Sequence, residues 1–213
     1  MPARKATKAF SKRRKRYGDW TIDEVRKQFK LELTLADLFK RVKPLEPSGN
    51  LHDALESGFL LAMVSEKARS EFLVAPILLF IRAIHHEKIS IYSGVKFDVA
   101  PEQGLRGTCD FILSKSLMLP TIQSPAFVMV EAKKNDIEEG IGQCAAEMVA
   151  AQIFNQREGN QVPQIYGCVT NGENWQFLRL TGNQLEIDKQ RYFLVKLSEI
   201  LGILSRIVKE VLA

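Results

Sequence analysis

Three residues in this sequence combine types and positions that could do chemistry. Ala126-Phe127-Val128-Met129-Val130-Glu131-Ala132-Lys133-Lys134 reads as a strand buried on both faces that finishes in charge. Gly107-Thr108-Cys109-Asp110-Phe111-Ile112-Leu113 reads as a second strand with a lone acid among apolar neighbours. Unpaired charge is expensive to desolvate, so these groups need partners. Side chains alternate along a strand, which turns Glu131 and Lys133 to one side and Lys134 to the other. If the two strands pair, Asp110, Glu131 and Lys133 converge. Two carboxylates and an ammonium make a site for a hard cation and a phosphate; the rival reading is a structural ion pair between Glu131 and Lys133. That rival is a costly arrangement when three such groups meet.

The elements that must position these groups follow in chain order. Residues 1–18 read as a disordered basic tail, with Lys12-Arg13-Arg14-Lys15-Arg16 as its densest part. Residues 19–64 read as a helical extension. In it, Thr21 and Glu24 form a capping box, Thr34 caps a second helix that ends before Pro44, and a third helix runs from Leu51 to Met63. The main domain, 65–213, opens with a long apolar helix over 65–86 that Pro76 should kink or restart. Strands follow over 89–99, 106–113 and 126–132. A helix marked by Gly140 and Gly142 then runs to about Arg157, and strands follow over 164–169 and 175–180. A turn with an Asn-Gly signal separates those two strands, and an amphipathic helix over 195–212 closes the chain. The fold class is α/β: a mixed central sheet flanked by helices.

Helix, strands carrying Asp110 and then Glu131-Ala132-Lys133, helix and strand resemble the PD-(D/E)XK nuclease superfamily with its restriction-endonuclease-like αβββαβ core. Arg69-Ser70-Glu71-Phe72-Leu73-Val74-Ala75-Pro76-Ile77-Leu78 is similar to the helix opening the N-terminal nuclease domain of type I restriction motor subunits. The likeness covers about 65–180, and Glu131-Ala132-Lys133 is the only acid-x-Lys tripeptide in the chain; Cys109 stands where the family name has proline.

The resemblance implies a metal-dependent nuclease cutting phosphodiester bonds, with DNA the expected substrate. Asp110, Glu131 and the backbone carbonyl of Ala132 would hold Mg²⁺, or Mn²⁺ in its place, since a few hard oxygens and water satisfy that ion. Lys133 would orient the attacking water or stabilise the transition state. Of two candidate glutamates on the first helix, Glu66 and Glu71, the apolar face shared with Val74, Ala75 and Leu78 selects Glu71. Gln143 resembles a glutamine that some members use to orient the lysine or touch a phosphate. The alternative is a catalytically idle nuclease-fold domain that binds nucleic acid or a partner protein.

Composition bounds the rest. The 213 residues carry a net charge of +5 and 46% hydrophobic residues, values of an ordinary globular protein. No apolar run is long enough to cross a bilayer and the basic start lacks a signal-peptide core, so the expectation is a cytoplasmic protein with no membrane partner. Three scattered cysteines without a C-x-x-C pair fit reduced thiols and argue against zinc or iron–sulfur sites. Lys12, Arg13, Arg14, Lys15, Arg16 and Lys134 are candidates for backbone-phosphate contacts, which confer salt-sensitive, sequence-independent affinity. A homodimer or a partner protein is compatible with all of this. No Gly-rich phosphate loop points to a metabolic enzyme.

Overall fold

The computed structural model describes residues 15–134 and 136–213. Seven strands form one mixed sheet. In chain order they are β1 (Glu32–Ala36), β2 (Ser90–Lys96), β3 (Thr108–Ser114), β4 (Ala126–Ala132), β5 (Ile165–Thr170), β6 (Asn174–Thr181) and β7 (Gln184–Phe193). Across the sheet they run β1-β7-β6-β5-β4-β3-β2. The hairpin-linked pairs β2–β3, β3–β4, β5–β6 and β6–β7 are antiparallel, whereas β4–β5 and β1–β7 are parallel. A parallel pair needs a crossover, and α5 (Glu138–Arg157) supplies it between β4 and β5. Every residue of β4 is buried, as its unbroken apolar run requires of a central strand.

Helices cover both faces. On one side α2 (Gly49–Ala62), α4 (Ala75–Ile84) and α6 (Leu197–Leu212) bury Leu55, Ile77, Ile81 and Ile203 against Phe127, Trp175 and Phe177. On the other, α1 (Ile22–Gln28) and the alanine-rich α5 pack with Tyr17 and Trp20 against Met129 and Ile165. The capping box at the start of α1 forms: the Glu24 amide donates to Thr21 Oγ1 and the Thr21 amide donates to Glu24 Oε2.

Three expectations are corrected. The region after Thr34 is not helical: Glu32–Ala36 is an edge strand that leaves Leu33 and Leu35 exposed and pairs in parallel with β7. The segment 19–64 therefore adds a strand to the sheet as well as helices. β7 itself was not anticipated. Finally, the basic N-terminal segment is not tail-like throughout, because Tyr17 is 1% exposed and donates its hydroxyl to the Phe97 carbonyl at 2.7 Å.

Between α3 (Glu66–Arg69) and α4 the chain makes a π-helical turn, Ser70–Val74, which runs without a break into α4, with Pro76 as the second residue of that helix.

Candidate active site

The β3–β4 register pairs Phe111 with Val130, so the next step sets Asp110 opposite Glu131. Asp110 Oδ2 accepts the Ala132 amide at 2.8 Å, which pins the aspartate to the neighbouring strand. Two residues beyond Glu131, past the strand end, Lys133 returns to the same side and its Nζ lies 2.6 Å from Glu131 Oε1. The backbone there is held by a hydrogen bond from the Lys133 amide to the Thr170 carbonyl at the end of β5, at 2.7 Å. The three residues selected from sequence are thus brought together.

α5 closes the site from above. Gln143 Oε1 accepts from Lys133 Nζ at 3.0 Å, and Gln143 Nε2 donates to Glu147 Oε1 at 3.2 Å. The approach is close because Gly140 has no side chain: a Cβ there would meet Val169 and come within 3.1 Å of Lys133 Cε. Gly142 performs the same service for the N-terminal segment, since a Cβ would strike the Trp20 carbonyl. These glycines permit contact, which is a different role from marking a helix start; α5 already begins at Glu138.

The electrostatics are those of crowded acids. Burial, then the Asp110 charge, pushes the Glu131 carboxyl up to about 8 against the pull of Lys133. Burial also raises Asp110, opposed by its hydrogen bond from Ala132 and by Lys133. Burial works to lower Lys133, but the Glu131 charge and hydrogen bond outweigh it and the ammonium is held above its ordinary value. Glu147 is fully buried and shifted well up by desolvation, with Glu131 adding to the effect. Among the described residues, Oε2 of Glu131 and Oε2 of Glu147 are buried without a hydrogen-bond partner. Buried carboxylate oxygens without partners are uncommon and call for a reason, such as an ion or water.

Glu71 is not part of this cluster. Its carboxylate pairs with Lys67 at 3.6 Å on the surface, with the side chain 55% exposed. The glutamate at the site is Glu66, whose Oε2 accepts the Lys134 amide at 3.2 Å and whose charge raises Asp110 and Glu131. The choice of Glu71 assumed uninterrupted α-helical geometry. The π-helical turn breaks that phase: Val74 and Leu78 are buried together with Leu73 and Ile77, but Glu71 within the turn is turned out to the surface. Arg69 anchors the turn, donating to the Asn171 carbonyl and to Glu173, each at 2.8 Å. Ser65 caps α3 and sets Glu66 as the first helical residue, a signal present in the sequence.

The basic candidates separate. Lys12, Arg13 and Arg14 lie outside the described residues. Lys15 is occupied within the protein, 2.6 Å from Glu24 and 4.4 Å over the Trp20 ring. Arg16 and Lys134 are exposed. Among the described residues no three or more His, Cys, Asp or Glu side chains are grouped as a metal cage, so a cation at this site would rest on Asp110, Glu131, backbone oxygen and water. That sparse set of hard oxygens fits Mg²⁺, which keeps several waters. Cys109, Cys144 and Cys168 are buried free thiols. No described helix is long and apolar enough to cross a membrane.

No family model matches the chain. It is similar to Crinkler effector protein 1 of Rhizophagus irregularis (strain DAOM 181602 / DAOM 197198 / MUCL 43194), 23% identical over 184 residues that cover 77% of this chain and 37% of that protein. The chain thus spans well under half the length of that relative.

Proposed function

We propose that this chain is a metal-dependent nuclease of the PD-(D/E)XK type that hydrolyses phosphodiester bonds in nucleic acid, DNA in the first instance. The observation that carries the reading is the meeting of Asp110, Glu131 and Lys133, with a buried Glu131 oxygen left without a partner. Acids that repel one another and an unsatisfied carboxylate oxygen are what a divalent cation would relieve. Asp110, Glu131 and the Ala132 carbonyl would hold it, Mg²⁺ or Mn²⁺. When bound, the ion supplies positive charge against the scissile phosphate and makes water a better nucleophile.

The protein's own groups then divide the work. Lys133 is held above its ordinary value by the Glu131 charge, so it acts as a donor and a fixed positive charge. Gln143 orients it through Oε1. Preorganised charge of this kind is worth far more in a water-poor site than in bulk. Glu66, at the mouth, adds negative charge beside Asp110.

The test is cleavage of plasmid DNA and of a labelled RNA strand by purified protein with Mg²⁺, beside Lys133→Ala and Asp110→Asn. Cleavage should need the cation and fall by about 10²–10³-fold in Lys133→Ala, the usual cost of one transition-state donor. Equal cleavage by wild type and Lys133→Ala would overturn the reading. Binding without cleavage by the wild type would leave a nuclease-fold domain that holds nucleic acid without cutting it.

A further inference from the structure

Next to the candidate active site lies a polar cleft of about 710 Å³. Its walls come from three separate segments: the turn at Arg16–Asp19, the end of β2 with Lys96, and Arg106–Thr108 leading into β3. Gln143 lines the cleft and also accepts from Lys133, so the cleft and the catalytic lysine share one side chain.

The charges around this cleft are unequally committed. Asp19 accepts the Arg16 amide at 2.8 Å, and Asp98 accepts the Gly107 amide at 3.0 Å while pairing with Lys96 at 2.9 Å. Both acids are therefore spent on local structure. Arg16 and Arg106 both line the cleft and form no ion pair among the described residues, although the Arg106 charge helps hold Asp98 ionised. The cleft's rim is fixed: the Tyr17 amide donates to the Arg106 carbonyl at 2.9 Å and the Trp20 indole donates to the Gly104 carbonyl at 3.1 Å.

We propose that this cleft is a phosphodiester-binding subsite. Arg16 and Arg106 clamp backbone phosphates of a nucleic acid strand and lead it past Gln143 to Lys133. Planar guanidinium groups suit phosphate because they donate in a bidentate fork. The contacts are to backbone, so they add affinity without sequence preference. This inference rests on the nuclease reading and adds the path of the strand.

The experiment measures binding of a short labelled DNA strand, and of an RNA strand of the same sequence, by fluorescence anisotropy in EDTA across a salt series. The double variant Arg16→Gln/Arg106→Gln is compared with wild type and with Lys40→Gln/Lys209→Gln, which removes equal charge elsewhere. The cleft variant should lose about tenfold or more in affinity at low salt and lower the salt slope by about 1.4, about 0.7 for each phosphate contact on a single strand. The control should stay close to wild type, and thermal melting should show all three folded. Tighter binding of one strand type by the wild type identifies DNA or RNA as the occupant. Unchanged affinity in the cleft variant, or an equal loss in the control, would overturn the subsite. Mg²⁺-dependent cleavage that still requires Lys133 would then leave the nuclease reading standing, whereas cleavage indifferent to Lys133 with a cleft defect would remove that reading and keep the subsite.

Discussion

Desolvation and the Asp110 charge both oppose ionisation of Glu131, against the pull of Lys133, and this ties stability to pH. A carboxyl raised from 4.5 to about 8 on folding binds a proton more tightly in the folded state. Its contribution is fully present below the unfolded value, is lost as pH rises toward 8, and levels off above that. Asp110 is shifted in the same direction and adds to the trend. Metal-free wild type should therefore melt at a lower temperature as pH is raised across this window, and Glu131→Gln should flatten the dependence. Differential scanning fluorimetry in EDTA measures both. A wild-type melting curve that rises over the same interval would contradict the assignment. Mg²⁺ should raise the wild-type melting temperature more at alkaline than at acid pH, because proton and cation compete for one carboxylate.

At the scale of elements, the site depends on how closely α5 and the π-helical turn approach β4. Gly140→Ala pushes a methyl group toward Val169 and the Lys133 side chain, so cleavage should fall by a larger factor than stability does. Gly142→Ala meets backbone of the docked N-terminal segment, which has no rotamer to yield, and should cost about 1–3 kcal/mol in urea unfolding. If the two variants lost activity and stability in equal proportion, the distinction between the two glycines would be wrong. The central elements were legible in sequence because β4 is a continuous apolar run and the capping box before α1 is reciprocal. Glu131-Ala132-Lys133 was visible for the same reason: charge at the end of a buried strand is conspicuous. β1 was misread because Leu33 and Leu35 face outward on an edge strand whose partner, β7, lies some 150 residues along the chain. β7 was missed since Lys189-Gln190-Arg191 interrupts its alternation with exposed residues. Glu66 lost to Glu71 because helical phase was extended through a turn of different pitch, and nothing local in Ser70–Val74 announces a π-helix. The Arg16–Arg106 cleft joins segments about ninety residues apart, which no spacing rule connects.

Over the whole molecule, one sheet separates two apolar layers, and the candidate site lies at the C-terminal end of β4, where β3, α5 and α3 meet it. The sequence has two tryptophans, and the fold puts one in each layer: Trp20 beside α5 and Trp175 under α2, α4 and α6. Each is anchored to a backbone carbonyl by its indole N–H, Trp20 to Gly104 and Trp175 to Gly172, both at 3.1 Å. Because the strands contribute side chains to both layers, neither layer can dissolve without exposing the other's support, and unfolding should be cooperative. Single-tryptophan variants Trp20→Phe and Trp175→Phe report the layers separately by fluorescence. After correction for the stability change of each substitution, their urea midpoints should coincide with the far-UV circular dichroism transition. A Trp20 signal that changes at lower urea than the sheet would mean that the N-terminal segment detaches first. The cleft it walls would then be a dockable attachment on the sheet and no fixed part of the fold.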